Sequence, residues 1–257
     1  MPDRNYRDND FPESEDVALD VRWNARDAII SMVFLAAVLV AVYFGSAWLF
    51  RVFGDAEFFN SSNISNASFV VLYTIQVVLM LGVVWFFALF KRKSGLRDLG
   101  LRYYSILSTI WYSFISLIAI FALSFLYVFL LNTMFGIDAP SSKIEVLVRN
   151  GSISSNTLLI IVTLVAPLSE EIFFRGFLYQ AFKKSWGVNA GLFLSSFLFA
   201  AVHLEIYSFI PIMIIGWLLA YLFEKTRSLL PAIFLHGIYN LALILILLGR
   251  LEIIKLY

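Results

Sequence analysis

The 257-residue chain contains no cysteine. Disulfides, thiolate metal ligands and a cysteine nucleophile are therefore excluded, and the redox compartment is left undetermined. Charge is scarce: Asp, Glu, Lys and Arg make up 14% of the residues, against about 25% in a soluble domain. The net charge of +1 offers no basic footprint for nucleic acid, so no nucleic-acid partner is expected. Histidine occurs only as His203 and His236. There is no internal repeat and no low-complexity block. Gly-x-Ser-x-Gly and His-Glu-x-x-His are both missing, which removes the serine nucleophile elbow and the usual zincin helix. The first residues, Met1 to Arg26, are polar and acidic-rich with no short apolar region, so they read as a loosely ordered tail and not as a cleaved signal peptide.

What the chain has is apolar surface. Apolar residues make up 61%, Phe alone contributes 26, and mean hydropathy is +0.85. Such a chain cannot cover a water-facing exterior. Its length suits seven or eight spanning helices of about 20 residues each. The expected fold is an all-α polytopic membrane protein whose first partner is the lipid bilayer. Apolar runs predict spans over 28–50, 69–90, 106–135, 157–182, 188–203, 209–223 and 230–248. Pro167 is a candidate bend in the fourth. The organisation reads as a polar cytoplasmic tail (1–26), N-terminal helices and loops (27–156), a catalytic group of helices (157–248) and a short tail (249–257).

Orientation follows from the Lys/Arg bias. With seven spans, Arg22 and Arg26, the stretch Lys91 to Arg102, Lys183 and Lys184, and Lys225 and Arg227 fall on one side. That side is expected to be cytoplasmic, with the N-terminus, in a multi-pass protein of a prokaryotic cell membrane. Sequons at Asn60, Asn63 and Asn66 fall in the opposite loop, where they read as chance in an Asn/Ser-rich stretch in preference to glycosylation sites, because the motif is short.

Three short motifs interrupt the apolar helices. In Ser169-Glu170-Glu171-Ile172-Phe173-Phe174-Arg175, two carboxylates adjoin in a span. One charge at bilayer depth costs about 2.5–3.5 kcal/mol on insertion scales. Repulsion and burial oppose ionising both, and a carboxyl poised between its two states is what general acid–base chemistry uses. Arg175 follows Glu171 by one turn and shares its face; Glu170 points about 100° away. Glu170 is thus expected to act, with Glu171 and Arg175 in support. Phe199 precedes His203 by one turn, and His236 precedes Asn240 by one turn. The last pair suits the binding of an oxyanion. Singly, each motif has a structural explanation: a packing ion pair, an interfacial histidine, interhelical polar glue. Together they supply a base, an acid and an oxyanion stabiliser, enough for hydrolysis by an activated water.

The order Glu-Glu-x-x-x-Arg, Phe-x-x-x-His, His-x-x-x-Asn resembles the CPBP family of CAAX endopeptidases, bacterial Abi proteins and bacteriocin-processing proteins. The matching residues are Glu170, Glu171 and Arg175, Phe199 and His203, and His236 and Asn240. Asp98-Leu99-Gly100-Leu101 is a weaker likeness. The resemblance implies a helical core, a site facing the cytoplasm, and cleavage near the C-terminus of a membrane-associated peptide or protein substrate. It implies Glu170 and His203 as activators of water, His236 and Asn240 as the oxyanion site, and Phe199 as part of the substrate pocket. A metal-free site is favoured, since Asn is a poor zinc ligand; if zinc is bound, His203, His236 and Glu170 form the His₂Glu set. A non-catalytic scaffold of the same family and a transporter or proton relay are the rival readings. One geometric problem stands out. Counting 1.5 Å per residue, Glu170 and His203 lie about 20 Å from their basic edges and His236 about 13 Å from Arg227, so the motifs meet only if helices tilt, bend at Pro167 or start elsewhere.

Overall fold

A computed structural model describes residues 19–53, 66–140, 143–149 and 153–255. The tail up to residue 18 and the sequons at Asn60 and Asn63 lie outside the described residues. Eight helices follow one another: α1 (Ala25–Phe53), α2 (66–91), α3 (Ile106–Phe135), α4 (Lys143–Arg149), α5 (Ser155–Trp186), α6 (Val188–Val202), α7 (Phe209–Thr226) and α8 (Leu229–Lys255). No strand occurs among the described residues. In lipid the backbone must satisfy its own polar groups, which leaves the helix as the answer to these apolar runs. Among the described residues, six helices are long and apolar enough to cross a membrane: α1, α2, α3, α5, α7 and α8. The seventh expected span is α6, which has only 15 residues, about 22 Å against the roughly 30 Å of a hydrocarbon core. The expected polar connection after α3 contains α4, too short to span.

The bundle is built around α5. Its Phe173, Phe174, Phe177 and Leu178 are buried with Trp23, Val83, Val84, Phe87 and Phe199, so α1, α2 and α6 all cover it. Residues 19–24, assigned by composition to the tail, are part of this packing. Trp23 is fully buried and its Nε1–H donates to the Phe177 carbonyl at 2.9 Å. An indole buries a large apolar surface but needs a partner for its N–H, and the last turns of α5 provide both.

The basic clusters gather at one end of the bundle. Lys91 and Arg92 close on Asp27 at 2.9 and 2.7 Å. Lys184 Nζ donates to the Val21 carbonyl and Arg22 Nη1 to that of Lys93. Glu224 collects Lys183, Arg227 and the Tyr179 hydroxyl. The Asp98-Leu99-Gly100-Leu101 segment is the clasp of this end. Gln180 donates to the Asp98 carbonyl and Leu229 N–H to the Gly100 carbonyl. Gly100 has φ +90°, and a Cβ there would stand 2.4 Å from the Phe223 ring. Only glycine combines that dihedral with that approach.

Candidate functional site

The level of each helix decides which motifs meet. A Cβ on Gly176 would touch the Leu99 carbonyl at 3.0 Å and Leu229 at 3.3 Å. Residue 176 of α5 therefore lies beside the first residue of α8, and the ten residues after it extend past that point. Measured from this level, Glu171 is five residues deep and His236 seven, about 7.5 and 10.5 Å. The mismatch in the sequence count arises because α5 runs further toward the basic end than α8 does. Likewise, Gly191 of α6 packs on Tyr179 and Lys183. In this antiparallel pair His203 then comes level with residues near 169.

At that shared level the acid pair divides. Glu171 is fully buried. Its Oε1 accepts from Arg175 Nη1 at 2.7 Å and lies 2.8 Å from His236 Nδ1. Arg175, also fully buried, donates Nη2 to the Gly216 carbonyl at 3.0 Å and lies 4.4 Å from the Phe199 ring centroid. A buried charge is tolerated when it is paired and hydrogen-bonded, and α7 supplies the second bond by exposing one carbonyl at Gly216. Glu170 keeps 17% side-chain exposure, and its Oε2 stands 3.8 Å from His236 Nε2. His236 thus reaches both carboxylates from α8, one through each ring nitrogen.

Phe199 is the common wall. Its ring meets those of His203, His236 and Phe174 at 4.9, 5.6 and 5.1 Å. His203, the first residue past α6, is half-buried. Its Nδ1 lies 2.7 Å from the Phe199 carbonyl, while its Nε2 has no hydrogen-bond partner among the described residues. No hydrogen bond joins His203 to Glu170. Asn240 shares a face with His236, but its Nδ2 donates to the Val162 carbonyl at 2.9 Å.

That carbonyl is free for a reason written in the sequence. Over Ile161–Val165 the helix opens to π geometry, with the Ala166 N–H on the Ile161 carbonyl. The same register assigns the Val162 carbonyl to residue 167, a proline without N–H. Asn240 fills the vacant bond. One turn away, a Cβ on Gly237 would lie 2.7 Å from the Thr163 carbonyl, so the glycine lets α8 approach α5 where this bond forms. Gly216 and Gly237 escape sequence reasoning because a small residue in a membrane helix is common. Tyr73 of α2 escapes it too, and interacts with Ser169 and, electrostatically, with Glu170. Position on a lipid-facing span gives no hint of that.

His203, His236 and Glu170 do not form a metal-holding group, and none occurs among the described residues. Nδ1 of each histidine is already engaged, by Phe199 and by Glu171. That leaves Nε2 as the open ring nitrogen of each histidine.

Residues 152–242 match the family model described as type II CAAX prenyl endopeptidase, Rce1-like. No curated protein and no solved structure matches the chain. The match spans all seven motif residues and is consistent with the CAAX-protease (CPBP) family.

Proposed function

We propose that the chain is an intramembrane endopeptidase that hydrolyses peptide bonds of membrane-associated substrates with a water activated by Glu170. The observation that carries this reading is the split of the acid pair: Glu171 sealed and locked, Glu170 partly open and 3.8 Å from His236 Nε2. A family of proteases supplies the reaction class.

In the proposed reaction Glu170 takes a proton from water, whose oxygen attacks the scissile carbonyl carbon. The tetrahedral oxyanion is met by the remaining amide hydrogen of Asn240 and by His236 Nε2 once the proton from Glu170 has reached it, while His203, whose Nδ1–H donates to the Phe199 carbonyl, turns Nε2 to the attacking water as an acceptor. The C–N bond then breaks, and the proton held by Glu170 passes to the leaving amine, directly or through His236. Glu171 orients His236 through Nδ1, as a carboxylate fixes the tautomer of a catalytic imidazole. Arg175 offsets the charge of Glu171, and Phe199 walls the pocket. The proposed site works without a metal, and chelator treatment should leave cleavage intact. Stoichiometric restoration by zinc would reverse that assignment.

The test compares C-terminal peptides of membrane proteins from cells carrying wild type and Glu170→Gln. Termini that appear only with the wild type are the expected result. Identical peptide sets, with both proteins present at equal level, would remove the peptidase reading. The substrate is proposed by class alone, a peptide or protein with a membrane-associated C-terminus.

A further inference from the structure

An amide stands uncovered in the middle of an apolar span. Gln76 of α2 is exposed and makes no hydrogen bond among the described residues. Thr74, two residues before it, returns its hydroxyl to the Val70 carbonyl at 2.7 Å, so its own turn satisfies it. The carboxamide of Gln76 carries two donors and an acceptor, and leaving them unpaired in an apolar medium is costly.

The neighbours of Gln76 along α2 set its direction and its level. At 3.6 residues per turn, positions seven apart share a face, so Phe69, Gln76 and Val83 stand in one line. Phe69 packs on the cluster of Ile153, Leu158 and Ile244, and Val83 is buried with Phe173 and Phe174. The line therefore meets the bundle on either side of Gln76 and is uncovered at Gln76 itself. The same contacts show that α2 and α5 run in the same direction. Midway between them, Gln76 stands level with residues near 166 of α5, about 6 Å along the axis from Glu170. Tyr73, one turn earlier on α2, interacts with Ser169 and with Glu170. The outward stripe of Val71, Ile75 and Val78 points about 100° to 160° away from Gln76, so a helix packed on that stripe would not cover the amide. The family match begins at residue 152 and does not include α2.

What fits this position is a peptide main chain out of its helix. A bond open to attack at Glu170 lies in a segment whose N–H and C=O groups have left their helical partners, and in lipid those groups need new ones. One carboxamide offers a donor and an acceptor to such a chain at once. We propose that Gln76 is a substrate-binding residue whose carboxamide pairs with the main chain of an unwound membrane segment and holds it at the level of Glu170. The role in cleavage rests on the peptidase reading; the binding of an unwound segment does not. Recognition of main chain prescribes no side-chain sequence, so a synthetic probe suffices for the test.

Two apolar Leu/Ala peptides of spanning length, each with one central cysteine, serve as probes. One is a continuous helix; the other is broken by Gly-Pro beside the cysteine. The chain has no cysteine of its own. Leu72→Cys, one turn from Gln76 and 41% exposed, is oxidised to each probe with molecular iodine in lipid vesicles, with Glu170→Gln present to prevent cleavage. The expected result is trapping of the broken peptide at least about tenfold faster than the continuous one, a preference lost when Gln76→Leu is added. With Glu170 intact, Gln76→Leu should raise KM about tenfold for a peptide that only the wild type releases, at unchanged kcat. Equal trapping with and without the amide, an unchanged KM, or a homodimer linked through residue 72 in preference to the probe overturns the inference. Selective trapping by a protein that cleaves nothing would end the peptidase reading and leave the binding role standing.

Discussion

Glu170 and Glu171 are neighbours in the chain with opposite surroundings, and the difference is measurable. Glu171 is fully buried between Arg175 and His236. Replacing it with Gln leaves the Arg175 charge uncompensated, at about 3–5 kcal/mol for breaking a buried pair from one side. Glu171→Gln should therefore unfold at clearly lower temperature in detergent. Glu170 has no such partner within salt-bridge contact of a cation other than His236 at 3.8 Å. Glu170→Gln should keep its melting temperature, with a stability change within about 0.5 kcal/mol, and lower the cleavage rate by about 10²–10⁴-fold. Equal losses of stability in the two variants would remove the division of labour. The sequence showed that the residues point about 100° apart on a helix. It did not show which direction faced the interior, because α5 is apolar on every side.

At the scale of the element, α5 is shaped by Pro167 and α8 answers it. The proline removes one N–H, the π turn shifts the register, and Asn240 donates to the Val162 carbonyl left over. Asn240→Ala orphans that carbonyl and should cost about 1–3 kcal/mol. In the Pro167→Ala background the restored N–H at 167 lies in register with the same carbonyl. The Asn240→Ala loss should then shrink, which a double-mutant cycle of thermal stability reads directly. Additive losses would show that the Asn240 amide does not substitute for the missing N–H. Gly237→Ala places a Cβ against the Thr163 carbonyl and should cost about 1–3 kcal/mol by overpacking. Since Gly237 adjoins His236, cleavage should fall further than stability alone explains. Sequence reading marked Pro167 as a bend and Asn240 as a partner of His236. The hydrogen bond joining the two positions crosses helices, and no spacing within one helix encodes it.

For the whole molecule, the clasp at the basic end sets the helix levels on which the site depends. Gly100 sits where α5, α7 and α8 come together, with Phe223 and Leu229 against it. Gly100→Ala meets both an unfavourable dihedral and a 2.4 Å contact, so it should lower stability by about 1–3 kcal/mol or more. It should also shift α8 along α5 and impair cleavage although it touches no site residue. A variant destabilised yet fully active, measured below its melting temperature, would show that the site does not rely on this register.

The sequence by itself determined that the chain lives in a membrane, that its regular structure is helical, and which six polar residues carry the motifs of its C-terminal half. Those features rest on composition and on spacing within one helix, which local chemistry dictates. Only the tertiary structure decided that His236 pairs with Glu171, that His203 turns its Nδ1 to its own helix, and that Val21 and Trp23 pack into the core. The physical reason is the same each time. Contacts between helices depend on how far each helix slides along its neighbour, and in an all-apolar helix neither hydropathy nor periodicity records that level. Here it was recorded by three glycines, Gly100, Gly176 and Gly191, whose missing side chains let the helices meet at one register.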